Sequence, residues 1–279
     1  MSEIPGRPIW IELFTPDPAA ARAFYGELFG WTVQEGGPEY GGYTLFLREG
    51  APVAGLMANT QEAPSAWSVY LESNNAADTV AMARANGGAV IVDAMPVGDL
   101  GHMAVVTDPG GAAVGIWQPL EHPGFAAVGE IDAPGWFEVL TSEYDAAVHF
   151  YENVFGWDTH TMSDTPGFRY TTLGKDEYAV AGIMAVDGVS RWSAYLMVAD
   201  TDAALARAVE LGGTAVDGPV DTPYGRLATV SDPSASQISH RYAQASRAAN
   251  TSNSHSSSPP AVPAGPRPLE NVQSSTNAR

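Results

Sequence analysis

The chain has 279 residues, 45% of them hydrophobic, which is room for one large or two ordinary domains with a buried core. Its formal charge is −19 with only 13 Lys and Arg, which argues against nucleic acid and against an anionic membrane surface as partners. There is no Cys, so disulfides, thiolate metal sites and Cys nucleophiles are excluded.

The start, MSEIPGRPIW, lacks a basic region followed by an apolar run, and no apolar run reaches the ~20 residues of a membrane span. A cytoplasmic protein is therefore expected. Along the chain, IWIELF alternates as a strand does, with Trp10, Glu12 and Phe14 on one face and Ile9, Ile11 and Leu13 on the other. TPDPAAARAFYGELFG reads as a helix. Asp17 is the expected N-cap, Pro18 the first helical residue, and Gly30 the stop. Ala21, Phe24, Tyr25 and Leu28 form its apolar stripe, with Phe24 and Leu28 expected to pack on a sheet. Three short strands follow near WTVQE, YTLFLRE and PVAGLMA. The pattern then restarts with the strand WSVYLE, the helix AADTVAMARANGG, and strands near AVIV, HMAVVT and AAVGIWQ. This half is thus βαβββ twice.

The second half repeats the first. FYGELFGW at Phe24 returns as FYENVFGW at Phe150, WIELFTPD at Trp10 as WFEVLTSE at Trp136, and WSVYLESNNAAD at Trp67 as WSAYLMVADTDA at Trp192. NGGAV at Asn86 finds LGGTAV at Leu211, and GHMAVVTDP at Gly101 finds GRLATVSDP at Gly225. The near-constant offset means that a whole domain has been duplicated. The expected boundaries are 7–120 and 133–243, joined by EHPGFAAVGEIDAP, a connector containing Pro and Gly. Residues 246–279, poor in large apolar side chains, read as a disordered tail.

Four βαβββ units, FYGELFGW, NGG after the second helix and DPGG before the last strand resemble the vicinal oxygen chelate superfamily, the group of glyoxalases, bleomycin resistance proteins and extradiol dioxygenases. The resemblance is closest to its tandem-module actinobacterial branch, often labelled glyoxalase-like or hydroxylase. It implies an α+β fold: two tandem modules whose concave mixed sheets form cups. It also implies metal ligands on four cup strands in the metal-using members. By count those positions fall on Trp10, near Gly55, Ser68 and Gly115, and in the second half on Trp136 and near Gly182, Ser193 and Ser239. None is a His or a carboxylate, and a slip in the count would admit only Glu12 or Glu138. The sequence therefore departs from the metal-dependent pattern in both halves. No metal and no cofactor are expected.

Glu12 and Glu138 share the cup face with Trp10 and Trp136. A desolvated carboxylate there has a raised pKa suited to acid–base work, or can receive a ligand group. The alternative is a structural ion pair with a strand Arg such as Arg48 or Arg169. His102, after the dipeptide Leu100-Gly101, is a third catalytic candidate. Trp10, Phe14, Met57, Tyr70 and Trp117, with Trp136, Met184 and Tyr195, are the expected ligand-binding residues, because aromatic walls with a few polar groups describe a small-molecule pocket. Packing that merely fills a closed core would use the same side chains. The sequence thus suggests a metal-independent binder of an aromatic or apolar small molecule, as in antibiotic sequestration. The alternative is an enzyme of natural-product or carbonyl metabolism (lyase, isomerase or hydroxylase-like) working through Glu12 or Glu138. A monomer or homodimer suits either.

Overall fold

The computed structural model describes residues 4–37, 40–59 and 64–242. The tail from 246 lies outside them. Strands β1 (Pro8–Thr15), β2 (Thr32–Glu35), β3 (Thr44–Arg48) and β4 (Ala51–Ala58) with helix α1 (Pro18–Phe29) form the first unit. Strands β5 (Ala66–Glu72), β6 (Val90–Val97), β7 (Gly101–Thr107) and β8 (Ala113–Pro119) with α2 (Ala76–Ala85) form the second. The second half repeats this as β9 (Pro134–Thr141), α3 (Tyr144–Phe155), β10 (Thr159–Thr165), β11 (Phe168–Leu173), β12 (Ala181–Ala185), β13 (Arg191–Val198), α4 (Thr201–Glu210), β14 (Thr214–Thr222), β15 (Gly225–Ser231) and β16 (Gln237–Tyr242).

The sequence leaves open which units pair. The sheets answer this, since consecutive units of one half join edge to edge. One eight-stranded sheet runs β2-β3-β4-β1-β5-β8-β7-β6 and the other β10-β11-β12-β9-β13-β16-β15-β14. The central pairs, β1–β5 and β9–β13, are antiparallel, while β1–β4 and β5–β8 are parallel. Local chemistry sets the helix ends as expected for α1. Asp17 accepts from the Ala20 amide at 3.0 Å, Pro18 opens the helix, and Gly30 closes it in the left-handed region.

The repeated sequence anchors turn out to hold the two halves together. Phe24 reaches across to the other half, where a Cβ at Gly213 would lie 3.1 Å from its ring, and Phe150 stands likewise 2.9 Å from a Cβ at Gly88. Backbone carbonyls of the glycine's own half crowd the same space, Thr107 at Gly88 and Ser231 and Ala208 at Gly213, so only glycine fits between them and the ring. Leu28 is only partly buried, and Phe29 takes the buried place expected of it. Tyr25 accepts a hydrogen bond from Trp67 Nε1 (3.0 Å) and donates to Asp232 (3.1 Å), and Tyr151 accepts from Trp192 Nε1 (2.9 Å) and donates to Asp108 (3.2 Å). Each half thus supplies the tyrosine for one lock and the aspartate for the other. One continuous core cluster runs through both halves. A separate small cluster of Ile9, Trp10, Tyr70 and Trp117 lies on the opposite face of the first sheet, in its cup.

Candidate functional site

Strand alternation places Trp10, Glu12 and Phe14 on the cup face of β1, as expected. Ile9 departs from the expected parity. A register shift between Pro8 and Trp10 brings it into the Trp10 cluster. Glu12, not Trp10, stands in register with Gly55 on β4 and Ser68 on β5, and Tyr70 with Gly115 on β8. In the second half Glu138 pairs with Gly182 and Ser193, and Tyr195 with Ser239. The carboxylates themselves therefore occupy the rows that the sequence count assigned to Trp10 and Trp136.

The Glu12 carboxylate is 7% exposed and accepts from Tyr70 Oη at 3.1 Å. Tyr43 bonds it as well, and Trp10 Nε1 donates to the Tyr43 oxygen at 2.8 Å. Burial pushes the Glu12 carboxyl up to about 7 against the pull of both tyrosine hydrogen bonds. Burial and then the Glu12 charge hold the Tyr43 and Tyr70 hydroxyls well above their usual range, so both stay protonated and donate. Glu138, 6% exposed, repeats the arrangement: Tyr170 donates to it at 2.7 Å and Tyr195 at 2.9 Å, and Trp136 bonds Tyr170. Each cup thus contains a chain in which Trp donates to Tyr, Tyr to Glu, and a second Tyr to the same Glu.

Arg48 and Arg169 are not the partners of these acids. Arg48 is held by Glu130 and the Ile131 carbonyl, and Arg169 by Asp145 and Asp164. Among the described residues, no Lys, Arg or His makes an ion pair with Glu12.

Tyr43 and Tyr170 were missed by sequence reasoning. The available signal was a repeated spacing: Tyr-Thr stands ten residues before Val-Ala-Gly in both halves. The structure explains the glycine of that motif, because a Cβ at Gly55 or Gly182 would collide with the Tyr43 or Tyr170 hydroxyl. A metal ligand at either position would meet the same obstacle. Among the described residues no group of three His, Asp or Glu could hold a metal, and one carboxylate beside Gly and Ser does not make a donor set. The residues present therefore do not fit the metal centre that the fold implies.

The other expected residues divide between faces and states of cover. His102 is in register with Gln118, whose side chain reaches the α2 amide of Ala76, while its neighbour Met103 is in register with Trp117 and packs in the cup. His102 therefore faces away from Glu12, and the structure does not bring the two together. Phe14 and Met57 are cross-strand neighbours at one end of the first cup, both half-buried. Trp10 (4% exposed), Tyr70 (3%) and Trp117 are buried in this cup. The connector covers them. His122 meets Trp10 edge-on at 4.6 Å and Trp117 at 5.6 Å, and Phe125 lies 5.6 Å from Trp10. Burial pushes the His122 imidazole below its usual range. In the second cup Trp136, Tyr195, Met184 and Phe168 are half-buried on one face. Two clefts of about 310 and 300 Å³ lie elsewhere, one beside α3 around Arg169, the other at the seam of the halves around Glu72 and Phe155.

The model of the Glyoxalase/Bleomycin resistance protein/Dioxygenase superfamily matches residues 7–116 and again 133–238. The chain belongs to this superfamily. It is 36% identical over 238 residues to CFP32 of Mycobacterium tuberculosis, a protein provisionally named a glyoxylase, covering 82% of this chain and 91% of that one. It is 36% identical over 252 residues to the anthracycline biosynthesis protein DnrV of Streptomyces peucetius, covering 82% and 90%. Among solved superfamily structures, the Mn(II)-bound glyoxalase of Novosphingobium aromaticivorans superposes with a TM-score of 0.62 at 13% identity, covering 86% of this chain and 83% of that one. The halotolerant catechol dioxygenase BphC gives 0.57 at 14%, covering 86% and 87%. At such identities these structures establish the superfamily fold alone. No described helix is long and apolar enough to cross a membrane.

Proposed function

We propose that the protein binds an aromatic small molecule in its second cup without a metal ion, with Glu138 as the polar anchor. One observation carries this reading. The Glu138 carboxylate, held by Tyr170 and Tyr195, lies beside a face where Trp136, Tyr195, Met184 and Phe168 remain half-exposed, whereas the matching face around Glu12 is roofed by the connector. A buried carboxylate is costly to keep. Aromatic rings and Met supply an adaptable apolar wall. The likeness to a protein of anthracycline biosynthesis supports a planar aromatic ligand. The glycines at the ligand positions support metal independence. The acidic, Cys-free composition favours the cytoplasm, and a monomer or homodimer suffices.

The test is a fluorescence titration with an anthracycline. Glu138→Gln is expected to weaken binding about tenfold, roughly 1.4 kcal/mol, and EDTA to leave it unchanged. Unaltered affinity in the variant, or affinity lost to EDTA, defeats the reading.

A second reading has its own observation. The Glu12 carboxyl, raised to about 7, is poised for proton transfer at neutral pH. It would serve a lyase, isomerase or hydroxylase-like reaction in natural-product or carbonyl metabolism. Turnover of a candidate substrate that Glu12→Gln abolishes, while stoichiometric binding persists, would favour the enzyme.

A further inference from the structure

We propose that the connector segment around His122 is a displaceable internal ligand of the first cup. The ligand it excludes is a planar aromatic bearing a ring carbonyl. This rests on the reading of the cups as ligand sites, but concerns the cup that the proposal above leaves aside.

The segment is seated in a way unlike ordinary core. It has no regular structure and is held by main-chain bonds along its length, the Glu121 amide donating to the Asp99 carbonyl at 3.2 Å. Leu120 and His122 amides donate to the Leu100 carbonyl at 3.0 Å, Phe125 to Ile9 at 3.0 Å, and Ala126 to Pro52 at 2.9 Å. Glu121 and Pro123 are exposed on either side of His122. The imidazole is nearly perpendicular to the Trp10 ring (90°, 4.6 Å) and steeply inclined to Trp117 (69°, 5.6 Å). Such edge-to-face contacts suit any flat ring.

The imidazole is an imperfect occupant. Its Nε2 is buried and has no hydrogen-bond partner among the described residues. A buried polar atom left unmatched carries a desolvation penalty, so this contact is among the easier ones to give up. Giving it up would leave the main core intact, because Ile9, Trp10, Tyr70 and Trp117 form a cluster of their own. Phe125 is the anchor that stays, since its ring also stacks on Phe137 of the second half at 5.5 Å.

The seat specifies its ligand. Two tryptophan rings ask for a flat aromatic. Trp117 Nε1, now donating to the His122 carbonyl at 2.9 Å, asks for a carbonyl oxygen beside that ring. A fused ring lactam presents both together, and without the main chain that ties His122 to the connector.

The test uses the full chain and 2-quinolone as the probe, in a Glu138→Gln background so that binding in the second cup is weakened in every protein compared. His122→Gly is expected to bind the probe at least tenfold more tightly than its parent, because the internal ring no longer competes. Adding Trp117→Phe, which keeps a ring but removes the donor, should reverse most of that gain. Equal affinity with and without His122, or a gain that survives Trp117→Phe, overturns the proposal. A second measurement needs no connector variant. Saturating 2-quinolone should speed amide hydrogen exchange at Leu120 and His122 about tenfold while leaving β9 amides unchanged. Unchanged or slowed exchange at those two amides also overturns it. The anthracycline titration of Glu138→Gln reports on the second cup alone, so the two proposals can fail separately.

Discussion

The two cups contain the same polar kernel in different surroundings. Trp10, Tyr43, Glu12 and Tyr70 in the first match Trp136, Tyr170, Glu138 and Tyr195 in the second, bond for bond. Around the first, Trp10 and Tyr70 are buried beneath His122 and Phe125; around the second, Trp136 and Tyr195 are half-exposed. Duplication has therefore kept the strands that build the kernel, and the difference comes from what leaves the last strand of the module. After β8 the chain folds back across the cup on its way to β9. No second linker of that kind exists among the described residues.

The widest gap between the cups should appear when a ring is removed from each. Trp10→Ala opens a cavity in a covered cluster and is expected to cost about 3–5 kcal/mol, while the half-exposed Trp136→Ala costs about half as much. Equal losses in denaturant melts would show that the two cups are equally sealed.

The next effect concerns pH. The folded state holds the Glu12 proton more tightly than the unfolded state, with its carboxyl raised from 4.5 to about 7. Between those values the native state binds more protons, so this stabilisation is full below pH 4.5 and is lost as pH rises through 7. The loss approaches about 3 kcal/mol. Glu12→Gln should flatten that slope relative to wild type between pH 5 and 8. A parallel pair of stability curves would mean that Glu12 is not desolvated as described.

The cross-half locks sharpen the comparison from the other side, because there the halves are alike. Tyr25→Phe and Tyr151→Phe should each cost about 1.5–3 kcal/mol, the scale of a lost buried hydrogen bond to a charged acceptor. A clear inequality between the two would show that the pseudo-symmetry is broken at the interface as well as at the cups. The smallest effect is expected from deleting residues 246–279, within ~0.5 kcal/mol of wild type. A larger change would show that the segment after β16 bears on the second half as the connector does on the first.

Much of the fold was legible because duplication and periodicity both leave traces in sequence. Alternation alone placed Trp10, Glu12 and Phe14 on one face, and the capping residues of α1 fixed its ends. The site was legible in part. Tyr43 and Tyr170 escaped because a tyrosine within an apolar run reads as wall or core, and alternation along one strand does not show that its hydroxyl reaches an acid on another. His102 drew attention as a lone titratable group, but its parity on β7 sets it on the face away from Glu12. The connector looked like punctuation. Its contacts with Trp10 and Trp117 depend on an irregular path that neither a period of 2 nor one of 3.6 can register. The halves' mutual locks were hidden for another reason: the same motifs serve packing within a half and between halves, and only coordinates separate the two.

The paired tyrosine locks also order events during synthesis. The lock between Tyr151 and Asp108 joins residues 43 apart in the chain, whereas that between Tyr25 and Asp232 spans 207. A ribosome releases the parts of the shorter lock well before it has made Asp232, and chains fold from the N-terminus as they emerge. The first helix therefore waits with Tyr25 unlatched until the last strands are out. The earliest-made element is thus among the last to be secured, and a chain cut short before Asp232 would keep one lock and lack the other.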